Sequence, residues 1–127
     1  MKQNFYYLPD IAKFIFRNMP FVIHVTFMGM EYAGDAIKRL ESLWIDPYEY
    51  MDQLKKAVWF LHRRNINVSI YNIPLCLLDS RVRNFARDSI SQWKKGFLSI
   101  CNDCKEKERC SGIFLTSIRQ SSNIKPL

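Results

Sequence analysis

Glycine is scarce in this chain, at 4 of 127 residues, and proline occurs only 5 times. There is therefore no glycine-rich loop to cradle a phosphate, no Gly/Ser linker and no obvious hinge. No internal repeat or low-complexity tract is present. No Ser–His–Asp arrangement or suitably spaced carboxylate pair appears either, so no catalytic constellation of that kind is expected. Long apolar runs are missing as well. The most apolar stretch, Phe21 to Met30, is about half of the ~20 residues needed to cross a bilayer, and it carries His24. The first residues, Met1 to Pro9, lack the continuous apolar run and small-residue cleavage site of a secretory leader. A cytoplasmic protein with no membrane partner is expected.

Acidic residues are also in deficit, with 12 Asp and Glu against 19 Lys and Arg and a formal charge of +7. The basic excess is spread along the chain, without a run of five like charges, and falls mostly on what look like outer helix faces. No recognition-helix pattern or ribonucleoprotein-type aromatic strand accompanies it, so nucleic acid is not the expected partner. Apolar residues make up 48% and charged residues 24%, which suits one folded domain with a core of its own.

Pro9-Asp10 opens a helix to Asn18 whose apolar face is expected to be Ile11, Phe14 and Ile15, and Pro20 stops it. Phe21 to Met28 is β-branched, aromatic and apolar on both faces, as a buried parallel strand reads. Asp46, Pro47 and Glu49 supply a helix cap, first position and capping-box acid. Met51, Leu54, Val58 and Leu61 then recur at helical spacing to about Arg64. Ile66, Val68 and Ile70 alternate with Asn67, Ser69 and Tyr71 as a second strand. Asp79 or Ser80 is expected to cap a third helix carrying Val82, Phe85, Ala86, Ser89, Ile90 and Trp93, closed by Gly96. A polar, irregular stretch from Cys101 to Gly112 follows.

This order predicts an α/β fold. A strand–helix–strand unit with a long crossover implies parallel pairing. Two parallel strands leave unpaired edges, so the chain is expected to be part of a larger α/β sheet or barrel completed by another region, another chain or a dimer mate.

The sharpest local feature is Cys101-x2-Cys104-x5-Cys110, followed by Ser111-Gly112. Two thiolates separated by two residues can reach one centre, and a third five residues on closes it from a short loop. Cys76, just beyond the second strand in Tyr71-Asn72-Ile73-Pro74-Leu75-Cys76, is a candidate fourth ligand. Four thiolates suit structural zinc or an iron–sulfur cluster. Zinc sites usually pair two short Cys-x-x-Cys units, and the single unit here leans toward a cluster. The alternative for Cys76 is a small buried hydrophobe among Ile73, Leu75, Leu77 and Leu78.

His24 lies mid-strand among apolar residues and His62 near a helix end, so both are more readily structural than ligating. Glu31 follows the first strand at the end where ligands bind in parallel α/β folds, the end that also carries Asn72 and Cys76. A solvated carboxylate or helix cap is its other reading.

Five blocks occur in order: Phe27-Met28-Gly29-Met30-Glu31, Leu43-Trp44-Ile45-Asp46-Pro47, Tyr71 to Leu78, Phe85 to Lys94, and Cys101-x2-Cys104-x5-Cys110-Ser111-Gly112-Ile113-Phe114. Together they resemble the C-terminal portion of radical S-adenosylmethionine (radical SAM) enzymes, most closely the His-Xaa-Ser system radical SAM maturases. The resemblance implies a partial (β/α) barrel over residues 1–96 and a cysteine-rich tail over 97–127. The tail would carry an auxiliary 4Fe-4S cluster, with Cys76, Cys101, Cys104 and Cys110 as metal ligands and Cys76 contributed from the barrel segment. Glu31 would fall near the cofactor pocket. The family's Cys-x3-Cys-x2-Cys motif is absent, since the first cysteine is Cys76.

The expected function is therefore that of a C-terminal fragment of a peptide-modifying maturase. It would cleave no S-adenosylmethionine alone and would bind that cofactor only with a complementary N-terminal half-barrel or partner maturase. A peptide would be the substrate, and self-association would satisfy the open strands. A non-catalytic zinc-binding interaction module, its basic surface serving an anionic partner, is the alternative.

Overall fold

The computed structural model describes all 127 residues. Helix α1 (Leu8–Asn18) has Pro9 in its first turn, where a missing N–H costs nothing. Strand β1 (His24–Met28) follows, then two single turns, α2 (Asp35–Lys38) and α3 (Leu40–Leu43). A 3-10 turn over Pro47–Tyr50 leads into α4 (Met51–His62), with the Asp46 carboxylate accepting the Tyr48 N–H at 3.0 Å. Strand β2 (Asn67–Tyr71) completes a β1–α4–β2 crossover. Strand β3 (Ala86–Arg87) joins the same sheet, while β4 (Lys95–Gly96) and β5 (Ile113–Phe114) form a separate antiparallel pair. No helix is long and apolar enough to cross a membrane.

The three-stranded sheet is parallel, in the order β1-β2-β3. Val25 sits opposite Val68 and Phe27 opposite Ile70, so these four side chains share the face that packs beneath the helices. Leu54, Val58 and Leu61 of α4 are fully buried against that face, and each such burial stabilises by about 1.5–3 kcal/mol. Leu75, Leu77, Leu78 and Val82 extend the core past the end of β2, and Ile113 and Ile124 join it from the C-terminal segment.

Several expectations need correction. The first strand begins at His24 rather than Phe21, and it is an edge strand with one covered face. The sheet is covered on one face, where α4 packs, so Val25 and Phe27 turn inward while His24, Thr26 and Met28 are exposed, and Ile23 is 75% exposed. Ser69 is buried rather than outward, and its hydroxyl lies 3.0 Å from His24 Nε2. In α1 the buried position is Ala12, flanked by half-buried Leu8 and Ile15, whereas Ile11 and Phe14 face solvent.

The third helix is absent. Asp79 does cap, accepting the Arg81 N–H at 3.0 Å, but the turn is a 3-10 segment over Ser80–Phe85. The chain then extends so that Ala86 and Arg87 pair with Ile70 and Tyr71. The side-chain carbonyl of Asn72 takes the Ser89 N–H at 3.0 Å, a bond that a continuing helix would not leave available.

Candidate metal centre and strand-end cleft

The four cysteines come from three short turns. Cys76 lies in the 3-10 turn Leu75–Leu77 after β2, Cys101 in the turn Ser99–Asp103 with Cys104 at its end, and Cys110 ends the turn Lys107–Arg109. All four are free thiols, half-buried, and line one pocket. Pro74, Gly96, Phe97 and Lys107 are among its other walls. The fold therefore brings Cys76 to the Cys101–Cys110 loop across 25 or more residues of chain. The thiols share a pocket rather than a point, since no group of three or more Cys, His, Asp or Glu side chains is drawn together at single-ion spacing.

Backbone N–H groups point at the sulfurs. Leu75 and Gly112 each donate to Cys110 Sγ at 3.4 Å, and Leu127 donates to Cys104 Sγ at 3.4 Å. Burial pushes the Cys76 thiol above its ordinary pKa; the Lys125 N–H opposes that push, and the neighbouring Cys110 and Cys101 add to it. A bound cation reverses this balance, because a coordinated thiol is deprotonated outright. Four thiols in one pocket, with N–H donors at Cys104 and Cys110, fit a metal centre, and hydrogen bonds to sulfur tune iron–sulfur sites.

Gly112 makes this corner possible. It has φ +67°, and a Cβ there would stand 2.5 Å from the Gly96 carbonyl oxygen and 3.3 Å from the Phe97 ring. Gly29 plays a similar part at the end of β1, where a Cβ would lie 2.4 Å from the Asn72 carbonyl oxygen.

A second, more open cleft lies at the carboxyl ends of the three parallel strands, lined by Gly29, Glu31, Asn72, Ser89 and Lys94 among others. Asn72 adopts φ +61°, and its amide nitrogen also lies 3.0 Å from Ser89 Oγ. Glu31 is on the cleft wall as its position after β1 suggested. Its carboxylate is not free, however. Thr116 donates to it at 2.5 Å, and Lys94 donates to both oxygens at 3.1 and 3.0 Å. The Thr116 hydroxyl, then Lys94, hold the Glu31 carboxyl below the usual range. A third cavity shares walls with both sites. It shares Gly29, Asn72 and Phe114 with the cleft, and Pro74, Gly112 and Ile113 with the cysteine pocket.

Both histidines lie elsewhere. His24 meets Ser69, and the His62 ring stands edge-on to Trp59 and Phe85. Sequence reasoning missed Lys94 and Thr116, whose partnership with Glu31 spans 63 and 85 residues. It also read Asp46 as a cap alone. That carboxylate is buried and additionally accepts from Ser121 and Asn123. The run of small polar residues from Ser121 to Asn123 was the only available signal.

Comparison with known proteins brings no neighbour to this site: no family model matches the chain, and no curated protein or solved structure matches it.

Proposed function

We propose that the chain is the C-terminal barrel segment and auxiliary-cluster region of a peptide-modifying radical SAM maturase. The observation that carries this reading is the shared pocket of Cys76, Cys101, Cys104 and Cys110, with main-chain N–H groups directed at two of its sulfurs. Those four residues would hold the cluster, which supplies one-electron chemistry when bound. The chain's own part is to exclude water with Phe97 and Leu127 and to donate hydrogen bonds to sulfur. The sheet supports the same reading. Its outward face carries exposed His24, Thr26 and Met28 beside half-buried Tyr71, and its β1 edge is unpaired, as a barrel segment requires.

Under this reading the strand-end cleft forms one side of the cofactor and peptide pocket once a complementary half-barrel is present. Glu31 would serve as a wall residue braced by Lys94 and Thr116. Anaerobic reconstitution with iron and sulfide tests it. A brown protein with charge-transfer absorption and about four irons per chain is the expected result. A colourless protein holding one zinc would replace the reading with a zinc-stabilised interaction module, and binding of neither metal would remove the centre altogether.

A further inference from the structure

The outer face of α4 carries a feature that the cluster reading does not use. Lys55 and Lys56, then Trp59 and Phe60 along this face, and Arg63 and Arg64 just past the helix end, line a single groove, closed at its side by Arg81. Five of the seven lining residues are cationic. Two of these are already matched. Lys55 pairs with Asp52 and Asp79 at 2.7 and 3.1 Å, and Arg81 grips Asp79 through two nitrogens at 2.9 and 2.8 Å. Lys56, Arg63 and Arg64 form no ion pair with the chain.

The two arginines are held ready by aromatic rings. The Arg64 guanidinium stacks 3.6 Å from the Phe60 ring centroid and 5.1 Å from that of Phe16, and Arg63 lies 5.6 Å from that of Trp59. A stacked guanidinium has lost part of its conformational freedom and keeps N–H edges for a planar carboxylate. Eight residues, about 12 Å of helical rise, separate the backbones of the two cation pairs, and both arginine side chains turn back over the aromatic pair between them.

We propose that this groove docks an acidic amphipathic helix of a partner protein, with carboxylates two turns apart and an apolar side chain between them. Charge complementarity selects the acidic class, because the neighbouring carboxylates Asp52 and Asp79 are already engaged by Lys55 and Arg81. Single-stranded nucleic acid fits less well. Its bases need several open aromatic faces, and here the Arg64 guanidinium already covers that of Phe60. The inference is independent of the metal centre.

The test is fluorescence anisotropy on the full chain at low and high salt. The probe is a labelled alanine-based helical peptide with Glu pairs two turns apart flanking a Leu pair. Salt-sensitive binding is expected, weakened at least about tenfold by Arg63→Glu with Arg64→Glu. Arg63→Gln with Arg64→Gln, checked by thermal melting for retained fold, should weaken it in the same direction. Lys38→Glu with Lys105→Glu makes the same charge change elsewhere and should leave affinity within about twofold. Failure to bind at low salt would overturn the proposal. So would equal binding of a peptide with Gln at every Glu, or equal loss in the Lys38/Lys105 control. Tighter binding of a labelled oligothymidylate would overturn it in favour of nucleic acid.

Discussion

The Ser121 hydroxyl lies 2.8 Å from both carboxylate oxygens of Asp46, tying the C-terminal segment to the cap of the 3-10 turn ahead of α4 across 75 residues of chain. Both residues are buried, and Ser121 Oγ also accepts the Asn123 N–H at 3.0 Å. Ser121→Ala therefore removes a hydrogen bond to a buried carboxylate, a loss of about 1.5–3 kcal/mol. Urea unfolding should show the midpoint falling at an unchanged slope. A loss below about 0.5 kcal/mol would mean that Asn123 and the Tyr48 N–H satisfy Asp46 without it.

Cys76 is the decisive member of the cysteine set because it alone comes from the sheet-bearing segment. Cys101→Ser, Cys104→Ser and Cys76→Ser should each lose most of the iron bound after reconstitution. Full iron retention by Cys76→Ser would reduce the site to a three-cysteine loop and return Cys76 to the role of a buried hydrophobe. Metal binding should also slow hydrogen exchange over residues 97–112, whose short turns contribute few buried side chains.

Glu31 gives a pH signature with a definite sign. Its folded-state pKa is lowered by Thr116 and Lys94 relative to an ordinary value of 4.5. The stabilisation is complete above that unfolded-state value and is lost as the pH falls through the lower folded-state one. Wild type should thus lose more stability between pH 5 and pH 3 than Glu31→Gln does. Parallel curves would show that the Lys94 and Thr116 contacts do not persist in solution.

The helix α4 was legible because its signal is local, a periodic set that the structure buries, although Asp46 and Pro47 open the 3-10 turn before it and α4 itself starts at Met51. The cysteine loop was legible in part, since its spacing puts three thiols on the wall of one pocket, although not at single-ion distance from one another. What failed were readings that assumed every apolar residue is buried. Trp93 is 72% exposed and Phe14 is 55% exposed, so the apparent faces of the third helix and of α1 were not the packed ones. The segment after Phe85 turned into strand because β2 offers it a partner and Asn72 holds Ser89, neither of which is visible in residues 80–96 themselves. Glu31 was placed at the correct strand end, but its partners lie too far along the chain for spacing to reveal them.

The unpaired edge of β1 predicts association. Asn67 donates to the Ile23 carbonyl and Gly29 to that of Tyr71, so the odd-numbered backbone groups serve β2, while those of His24, Thr26 and Met28 face outward. Exposed Phe21 and Ile23 lie beside them. Such an edge is a template for another strand. Sedimentation at about micromolar concentration should show self-association, or a complex when a complementary half-barrel is co-expressed. Ile23→Lys with Met28→Lys should abolish it without changing thermal stability. A monomer at every concentration, indifferent to that half, would argue against a barrel segment.

Gly112 allows the effect of backbone conformation to be separated from that of contact. Gly34 and Gly112 both have positive φ, +57° and +67°, but a Cβ at Gly34 meets nothing within 4 Å. Gly34→Ala thus measures the conformational cost alone, about 1–3 kcal/mol. Gly112→Ala adds the approach to the Gly96 carbonyl oxygen, which is backbone and is held by the β4–β5 pair. Its destabilisation in urea should therefore exceed that of Gly34→Ala. It should also lower iron retention, because Gly96 and Gly112 both line the cysteine pocket. Equal losses for the two variants would show that β4 and β5 part easily, leaving the cysteine loop without a fixed wall.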